Sequence, residues 1–140
     1  MAFRIKNLDH FAHAVNNLDE AIAFWTTNFG VTVKSQAVLD AVGLKNTMID
    51  VGNTQIELIE PLEGETVVRG WLERNGQGVY LVTFEVEDLL EGVKTLREKG
   101  WRIIEAWGPL EETMACFIHP KNAMGVYIQM FERKPGAVVH

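Results

Sequence analysis

Two side chains in this sequence, His10 and Glu57, have the chemistry of a proton-transfer pair. Imidazole and carboxylate groups are the side chains most often used as general acids and bases. Each lies in a segment that alternates with period two, which is typical of a β-strand with two different faces. His10 shares its face with the small side chains of Ala12 and Ala14, and this predicts the floor of a cavity. We therefore take His10 and Glu57 as the candidate catalytic residues.

The strands that carry these residues define two contrasting surfaces. The first is apolar and predicts a core under amphipathic helices; it comprises Phe11, Val15, Ile49, Val51, Ile56, Leu58, Val82, Phe84, Val86, Ile118, Val126, Ile128 and Met130. The second, called the site face below, mixes polar and apolar groups as a ligand-binding concavity does; it comprises His10, Ala12, Asn46, Met48, Gln55, Glu57, Leu81, Thr83, Ala115, Phe117, Tyr127, Gln129 and Phe131. The alternative is that this face is simply the solvated side of a sheet, which its large apolar members disfavour.

Two helices are predicted behind the apolar surface. Asn17–Glu20 and Asp88–Glu91 both have the form of a capping box, in which a polar cap is followed three residues later by glutamate. Apolar residues then recur at helical spacing, and Gly30 and Gly100 are the expected ends. Residues 39–45 and 107–112 are expected to be loops.

The order of the predicted elements repeats along the chain. Gly52-Asn53 is typical of a two-residue hairpin turn, and the order strand, helix and three strands occurs twice. The fold class is therefore α+β, with two tandem βαβββ modules whose antiparallel-rich sheets curl around a central cavity. We expect a single domain over residues 1–140, with modules at about 5–61 and 78–132, a connector at 62–77 and a loose tail at 133–140.

Composition limits the classes of partner. The 140 residues carry a net charge of −6, which argues against nucleic acid or an anionic membrane as the main partner. The chain has one cysteine and therefore no internal disulfide, as expected for a reducing cytoplasm. The N-terminus lacks the apolar run of a signal peptide, and no run approaches a membrane span. We expect a cytoplasmic protein with a small-molecule ligand.

Three other reactive side chains are predicted to be structural. Alternation places His13 on the helix side of its strand, as a satisfied core histidine. It also turns Cys116 away from the site face, which disfavours a nucleophile. His119 begins a turn with Pro120 and Lys121, and we expect it to hold that turn.

Four segments carry a family resemblance that spans residues 8–132. They are Leu8-Asp9-His10, the run Val51–Pro61, Thr83-Phe84-Glu85-Val86 and His119-Pro120-Lys121. In order and spacing the chain resembles the vicinal oxygen chelate superfamily, which includes glyoxalase I, bleomycin-resistance proteins and dioxygenases. Its segments are most similar to the methylmalonyl-CoA epimerase branch. The resemblance implies the paired βαβββ fold, and a dimer, since family members are commonly homodimers.

The resemblance also implies a site for a divalent metal, with one ligand from each of four strands. Those positions fall on His10, Glu57, Leu81 and Gln129. His10 and Glu57 are good ligands, but leucine cannot bind a metal and glutamine is a weaker, neutral donor. The position of the epimerase base falls on Asn46, which cannot take a proton. We therefore expect no cofactor.

Three functional hypotheses remain open. The leading one is an isomerase or lyase of the glyoxalase or epimerase type that acts on a carbonyl or thioester compound without the family metal. There His10 and Glu57 would move the proton, Asn46 and Gln129 would donate hydrogen bonds to a developing oxyanion, and the contacts to substrate would come from Asn46, Met48, Gln55, Leu81, Thr83, Phe117, Tyr127 and Gln129. The second is a ligand-sequestering protein without chemistry, and the third is a metalloenzyme that uses His10, Glu57 and Gln129.

Overall fold

A computed structural model describes residues 3–133 of the chain. Arg133 is the one residue of the predicted loose tail, 133–140, that lies within the described range. The described residues form two short 3₁₀ helices, Asp40–Val42 and Pro120–Asn122, together with eight strands and four α-helices. In chain order these are β1 (Arg4–Ala14), α1 (Leu18–Phe29), β2 (Thr32–Leu39), β3 (Leu44–Asp50), β4 (Gln55–Pro61), α2 (Val67–Asn75), β5 (Gly78–Glu87), α3 (Leu89–Glu98), β6 (Ile103–Glu105), α4 (Leu110–Thr113), β7 (Ala115–Ile118) and β8 (Ile128–Phe131).

The predicted α+β class with a repeated βαβββ order is confirmed. The first repeat is β1-α1-β2-β3-β4 and the second is β5-α3-β6-β7-β8. In each repeat the first and last strands pair in parallel, β1 with β4 and β5 with β8. The pairs β2–β3, β3–β4, β6–β7 and β7–β8 are antiparallel. The described residues divide into two compact units, residues 10–80, and residues 81–133 together with 3–9.

The unit of residues 10–80 has the strand order β2-β3-β4-β1. The predicted hairpin between β3 and β4 is present. Asp50 pairs with Gln55, and the Asp50 carboxylate accepts a hydrogen bond of 2.9 Å from the Gly52 backbone nitrogen. The predicted apolar surface packs under α1, in a core of Val15, Leu18, Ala21, Ile49, Ile56 and Leu58.

The other unit has the strand order β1-β5-β8-β7-β6, with β1 contributing its first residues, Arg4–Asp9. Its core lies under α3 and again uses the predicted apolar surface; the buried members are Val86, Leu89, Val93, Leu110, Met114, Cys116, Ile118 and Met130. Both amphipathic helices therefore cover the faces that strand alternation assigns to them.

One of the two predicted capping boxes is correct. Asn17 caps α1 through a 2.9 Å bond from the Glu20 nitrogen to its Oδ1, and Gly30 ends the helix with a left-handed φ of 66°. The Asp88 box is wrong. Asp88 has a left-handed φ of 59° instead of the extended backbone of a capping residue, and its side chain makes no cap. The Glu132 carboxylate accepts the first helical N–H of α3.

The predicted loops contain more structure than expected. Strand β2 continues to Leu39 and β3 begins at Leu44, so only a 3₁₀ helix and Gly43 lie between them. The loop prediction for 39–45 is wrong because Leu39 and Leu44 form the last pair of a hairpin ladder. The loop predicted at 107–112 contains the start of α4. Among the helices of residues 3–133, none is long and apolar enough to cross a membrane.

Candidate functional site

The two candidate catalytic side chains touch each other. His10 Nε2 lies 3.4 Å from Glu57 Oε1, and their side chains are 13% and 18% exposed. The contact follows from the parallel register of β1 and β4, which pairs His10 with Gln55 and Ala12 with Glu57 and so places the imidazole diagonally beside the carboxylate. A largely buried imidazole and carboxylate in contact can exchange a proton and pass it to a bound molecule.

Asn46 holds the other oxygen of the same carboxylate. Its Nδ2 donates a hydrogen bond of 2.8 Å to Glu57 Oε2. Strand β3 pairs Met48 with Glu57 and Asn46 with Ile59, so Asn46 lies two residues along the same face. Both oxygens of Glu57 therefore have a partner, and the carboxylate is fixed in direction.

The site face is not an open, solvated surface. Gln55 is 8% exposed, Met48 6%, Leu81 8% and Thr83 1%. These values contradict the alternative that the second face of each sheet merely meets water, because apolar Met48 and Leu81 are as buried as core residues. Buried polar groups on such a face need partners, and the contacts of Glu57 and Thr83 supply them.

In the unit that contains β5 and β8, the site face carries a neutral polar pair and aromatic rings. The Thr83 hydroxyl donates a 2.9 Å hydrogen bond to Gln129 Oε1. Phe117 lies between Tyr127 and Trp107, at ring-centroid distances of 5.4 Å and 5.9 Å. Burial raises the pKa of Tyr127, so its phenol stays protonated at neutral pH. The convergence of these residues on His10 and Glu57 remains a prediction.

One polar residue on the site face was missed by the sequence analysis. Lys34 on β2 donates a 3.2 Å hydrogen bond to Gln55 Oε1. Its strand has a register shift between Val33 and Ser35, which alternation within one strand does not reveal. In the sequence, the only signal is a lysine that directly follows the β-forming residues Val31, Thr32 and Val33.

The three side chains predicted to be structural behave as such. Trp25 Nε1 donates to His13 Nδ1 at 3.2 Å, and burial lowers the pKa of His13. Cys116 is fully buried in the core of its unit, and burial raises its pKa to about 11, which disfavours a thiolate nucleophile. His119 Nδ1 accepts the Lys121 backbone N–H at 3.1 Å and so holds the turn.

The donors at the four family positions do not fit the metal that the family resemblance implies. Leu81 has no lone pair, and Gln129 Oε1 already accepts the Thr83 hydroxyl. Glu57 is bonded by Asn46 and contacts His10 directly. Within residues 3–133, no group of three or more His, Cys, Asp or Glu side chains is arranged to hold a metal ion.

Comparison with known proteins agrees with this fold. Residues 9–117 match the family model described as the glyoxalase/bleomycin resistance protein/dioxygenase superfamily. Methylmalonyl-CoA epimerase from Bos taurus is 30% identical over 131 residues, which cover 91% of this chain and 75% of the bovine protein. Ethylmalonyl-CoA/methylmalonyl-CoA epimerase from Cereibacter sphaeroides is 31% identical over 130 residues, covering 90% of this chain and 97% of that protein.

A solved structure extends the comparison to three dimensions. The crystal structure of methylmalonyl-CoA epimerase from Mycobacterium tuberculosis superposes with a TM-score of 0.81 at 30% identity. The alignment covers 94% of this chain and 90% of that one. The family model spans residues 9–117, and the two relatives and the solved structure each cover at least 90% of the chain. The chain therefore belongs to the glyoxalase/bleomycin resistance protein/dioxygenase superfamily.

Proposed function

We propose that this protein is an epimerase-type isomerase or lyase that moves a proton on the carbon next to a carbonyl or thioester group. The observation that carries the proposal is the contact between His10 Nε2 and Glu57 Oε1 at 3.4 Å, with Asn46 fixing the second carboxylate oxygen. The relatives support the class of substrate, because their names place them among epimerases of coenzyme A thioesters.

In the proposed reaction, Glu57 takes the proton from the carbon next to the carbonyl. The electron pair of the broken C–H bond moves toward the carbonyl oxygen, which becomes an enolate oxygen. The remaining N–H of Asn46 and the amide of Gln129 are donors suited to that developing charge. His10 then relays the proton that Glu57 has taken. In an isomerisation this proton is returned to the substrate, and in a lyase reaction it remains on the enzyme when a leaving group departs.

We propose that this chemistry proceeds without the metal used by other members of the family. The side chains at the family positions support this, since Leu81 supplies no donor and Asn46 and Gln129 supply neutral amides. In the unit of residues 10–80, the ionisable groups of the site face are then the acid–base pair of His10 and Glu57, together with Lys34.

The proposal is tested by Glu57→Gln, with Glu63→Gln as the control because Glu63 is exposed. The assay incubates methylmalonyl-CoA and related coenzyme A thioesters in D₂O and follows deuterium incorporation next to the thioester. General acid–base groups contribute about 10²- to 10⁴-fold, so Glu57→Gln should lose at least about a hundredfold while Glu63→Gln keeps the parental rate. Parental turnover in Glu57→Gln would exclude Glu57 as the base.

A second candidate function is ligand sequestration without turnover. It is favoured by the replacement of the family's proton-accepting and metal-binding side chains with Asn46, Leu81 and Gln129. On this hypothesis the fixed carboxylate of Glu57 only orients a bound molecule. Calorimetry would then show binding of a compound for which no deuterium exchange is observed at any pH.

We also propose a cytoplasmic homodimer, as the composition and the family resemblance imply. Light scattering on a size-exclusion column at several protein concentrations measures the assembly directly. A mass of one chain at every concentration would contradict the dimer.

A further inference from the structure

The acid–base pair in the unit of residues 10–80 is too closely spaced to act on opposite sides of one carbon atom. His10 Nε2 and Glu57 Oε1 are 3.4 Å apart. A group that reacts with a carbon atom lies about 3–3.5 Å from it, so two groups on opposite sides of that carbon are separated by about 6–7 Å. His10 and Glu57 therefore approach a bound carbon from the same side.

The strand register keeps these groups on one surface of the sheet. β1 and β4 are parallel neighbours that pair His10 with Gln55, two residues before Glu57. From the next strand, Asn46 Nδ2 holds Glu57 Oε2 at 2.8 Å, so the carboxylate does not turn freely. Lys34, the third ionisable residue of this surface, donates to Gln55 Oε1 at 3.2 Å and so approaches from the same side.

Inversion of a stereocentre needs a proton-transfer group on each side of the carbon. Each of the two groups must act as an acid in one direction of the reaction and as a base in the other. In the unit that contains β5 and β8, the Thr83 hydroxyl and the Gln129 amide are neutral and bonded to each other at 2.9 Å. Tyr127 adds a phenol, but burial raises its pKa, so fewer than about one molecule in a thousand carries the basic phenolate at pH 7.

A carboxylate on β5, Glu85, is occupied by other contacts. It lies two residues beyond Thr83 and is 6% exposed. Asn7 Nδ2 donates a 2.8 Å hydrogen bond to this carboxylate, while Arg133 Nη1 and Lys6 Nζ lie 3.3 Å and 3.7 Å from it. Three donors stabilise the ionised form and disfavour a proton shuttle.

We propose that this protein removes a proton next to a carbonyl and returns it from the same side, so that it exchanges protons without inverting the carbon. The proposal rests on the proposed function, since it assigns a stereochemical course to the same site. The spacing of two reacting groups predicts such a course in the same way that the spacing of two carboxylates does in glycosidases.

The proposed steps balance without a further reactant. Glu57 Oε1 takes the proton, the C–H electron pair forms the C=C bond of the enolate, and the carbonyl π pair moves to oxygen. The carboxylic acid of Glu57 exchanges its proton with solvent through His10. It then returns a proton to the carbon from the side that lost one, the C=O bond forms again, and Glu57 is once more a carboxylate.

The test incubates each epimer of methylmalonyl-CoA separately with the parent protein in D₂O. Mass spectrometry follows deuterium at the carbon next to the thioester, circular dichroism follows the configuration, and a sample without protein gives the uncatalysed rates. Exchange should exceed inversion at least about tenfold, because a positioned acid, which contributes about 10²- to 10⁴-fold, returns the proton to one side. Glu57→Gln should lose this exchange, and Glu63→Gln, at an exposed position, should keep it.

The other outcomes separate this proposal from the proposed function. Inversion as fast as exchange, for either epimer, would overturn the same-side course and leave the proposed function in place, because the proton would still be removed next to the carbonyl. Absence of exchange above the uncatalysed rate in the parent would refute both. Exchange with retention that survives Glu57→Gln would show that another group moves the proton and would overturn the assignment to this pair.

Discussion

The Glu132 carboxylate accepts a 2.8 Å hydrogen bond from the backbone nitrogen of Leu89, the first residue of α3. The first repeat contains the same arrangement, since Glu60 Oε1 accepts the Leu18 nitrogen at the start of α1 at 2.7 Å. In each case a glutamate at the end of the last strand of a repeat holds the helix of that repeat. The first N–H groups of a helix lack partners within the helix and favour negative charge.

Replacing Glu132 should therefore destabilise the fold. Glu132→Ala leaves the Leu89 N–H without its acceptor, and we expect a loss of about 1–2 kcal/mol in the free energy of unfolding. Urea titration monitored by circular dichroism measures the loss. Glu91→Ala is the matched control, because Glu91 belongs to the capping box that Asp88 does not form. A larger loss from Glu91→Ala than from Glu132→Ala would contradict the assignment.

The hydrogen bond from Asn46 to Glu57 should matter for rate more than for binding. Asn46→Leu keeps the bulk of the side chain but removes the donor to Oε2, so the carboxylate is free to turn away from the substrate. We expect kcat to fall about tenfold, equivalent to about 1.4 kcal/mol, with a smaller change in KM. The control is Asn75→Leu, because the exposed Asn75 side chain donates a hydrogen bond to the Trp71 backbone carbonyl at the end of α2. An unchanged kcat in Asn46→Leu would refute this role.

His13 should make the stability of the protein depend on pH. Burial lowers its pKa in the folded state, and its Nδ1 must stay unprotonated to accept the Trp25 N–H. Below an unfolded pKa of about 6.5 the unfolded chain therefore binds a proton that the folded chain does not. Its contribution is complete above that pH and is lost as the pH falls.

The measurement is the free energy of unfolding of the parent and of His13→Gln at several values between about pH 7 and pH 5. The parent should lose stability over this range with a steeper slope than the variant, because Gln has no proton to gain. Equal slopes in the two proteins would show that His13 does not titrate differently in the folded state.

The family's metal site should return when its ligands are restored. Leu81→His with Gln129→Glu supplies two imidazoles and two carboxylates at the positions that the resemblance assigns. Without metal, the added carboxylate should lower the melting temperature by repelling Glu57. Excess zinc, nickel or cobalt should raise it by several degrees through mass action, while the parent gains little. Elemental analysis of the purified parent is expected to show no stoichiometric transition metal. An equal response in both proteins would mean that the four positions do not converge.

The sequence predicted those features that depend on neighbours along the chain. The Asn17 cap, the Gly30 stop and the hairpin at Gly52 are each determined within four residues, and all are present. Alternation also predicted that His10 and Glu57 lie on the same kind of face, and the parallel pairing of β1 with β4 brings the two side chains together. The Asp88 capping box failed because Asp88 adopts a left-handed backbone, whereas Asn17 is extended as a capping residue must be.

The direction of the Lys34 side chain could not be predicted from the sequence, for a different reason. Its direction depends on a bulge, and a bulge is a property of two strands in register rather than of either strand alone. The same holds for the hydrogen bond between Asn46 and Glu57, which needs the pairing of β3 with β4. Alternation predicted that both residues share a face, and only the register showed that they touch.

The bulge at Lys34 also bears on aggregation. Strand β2 lies at the end of the strand order of its unit, and all eight of its residues are exposed. An exposed, regular edge offers its backbone N–H and C=O groups as a template for strands of other molecules. The bulge interrupts that template and adds a lysine, both of which discourage edge-to-edge pairing. A variant with one residue deleted at the bulge would present a straighter edge, and we expect it to form fibrils more readily than the parent.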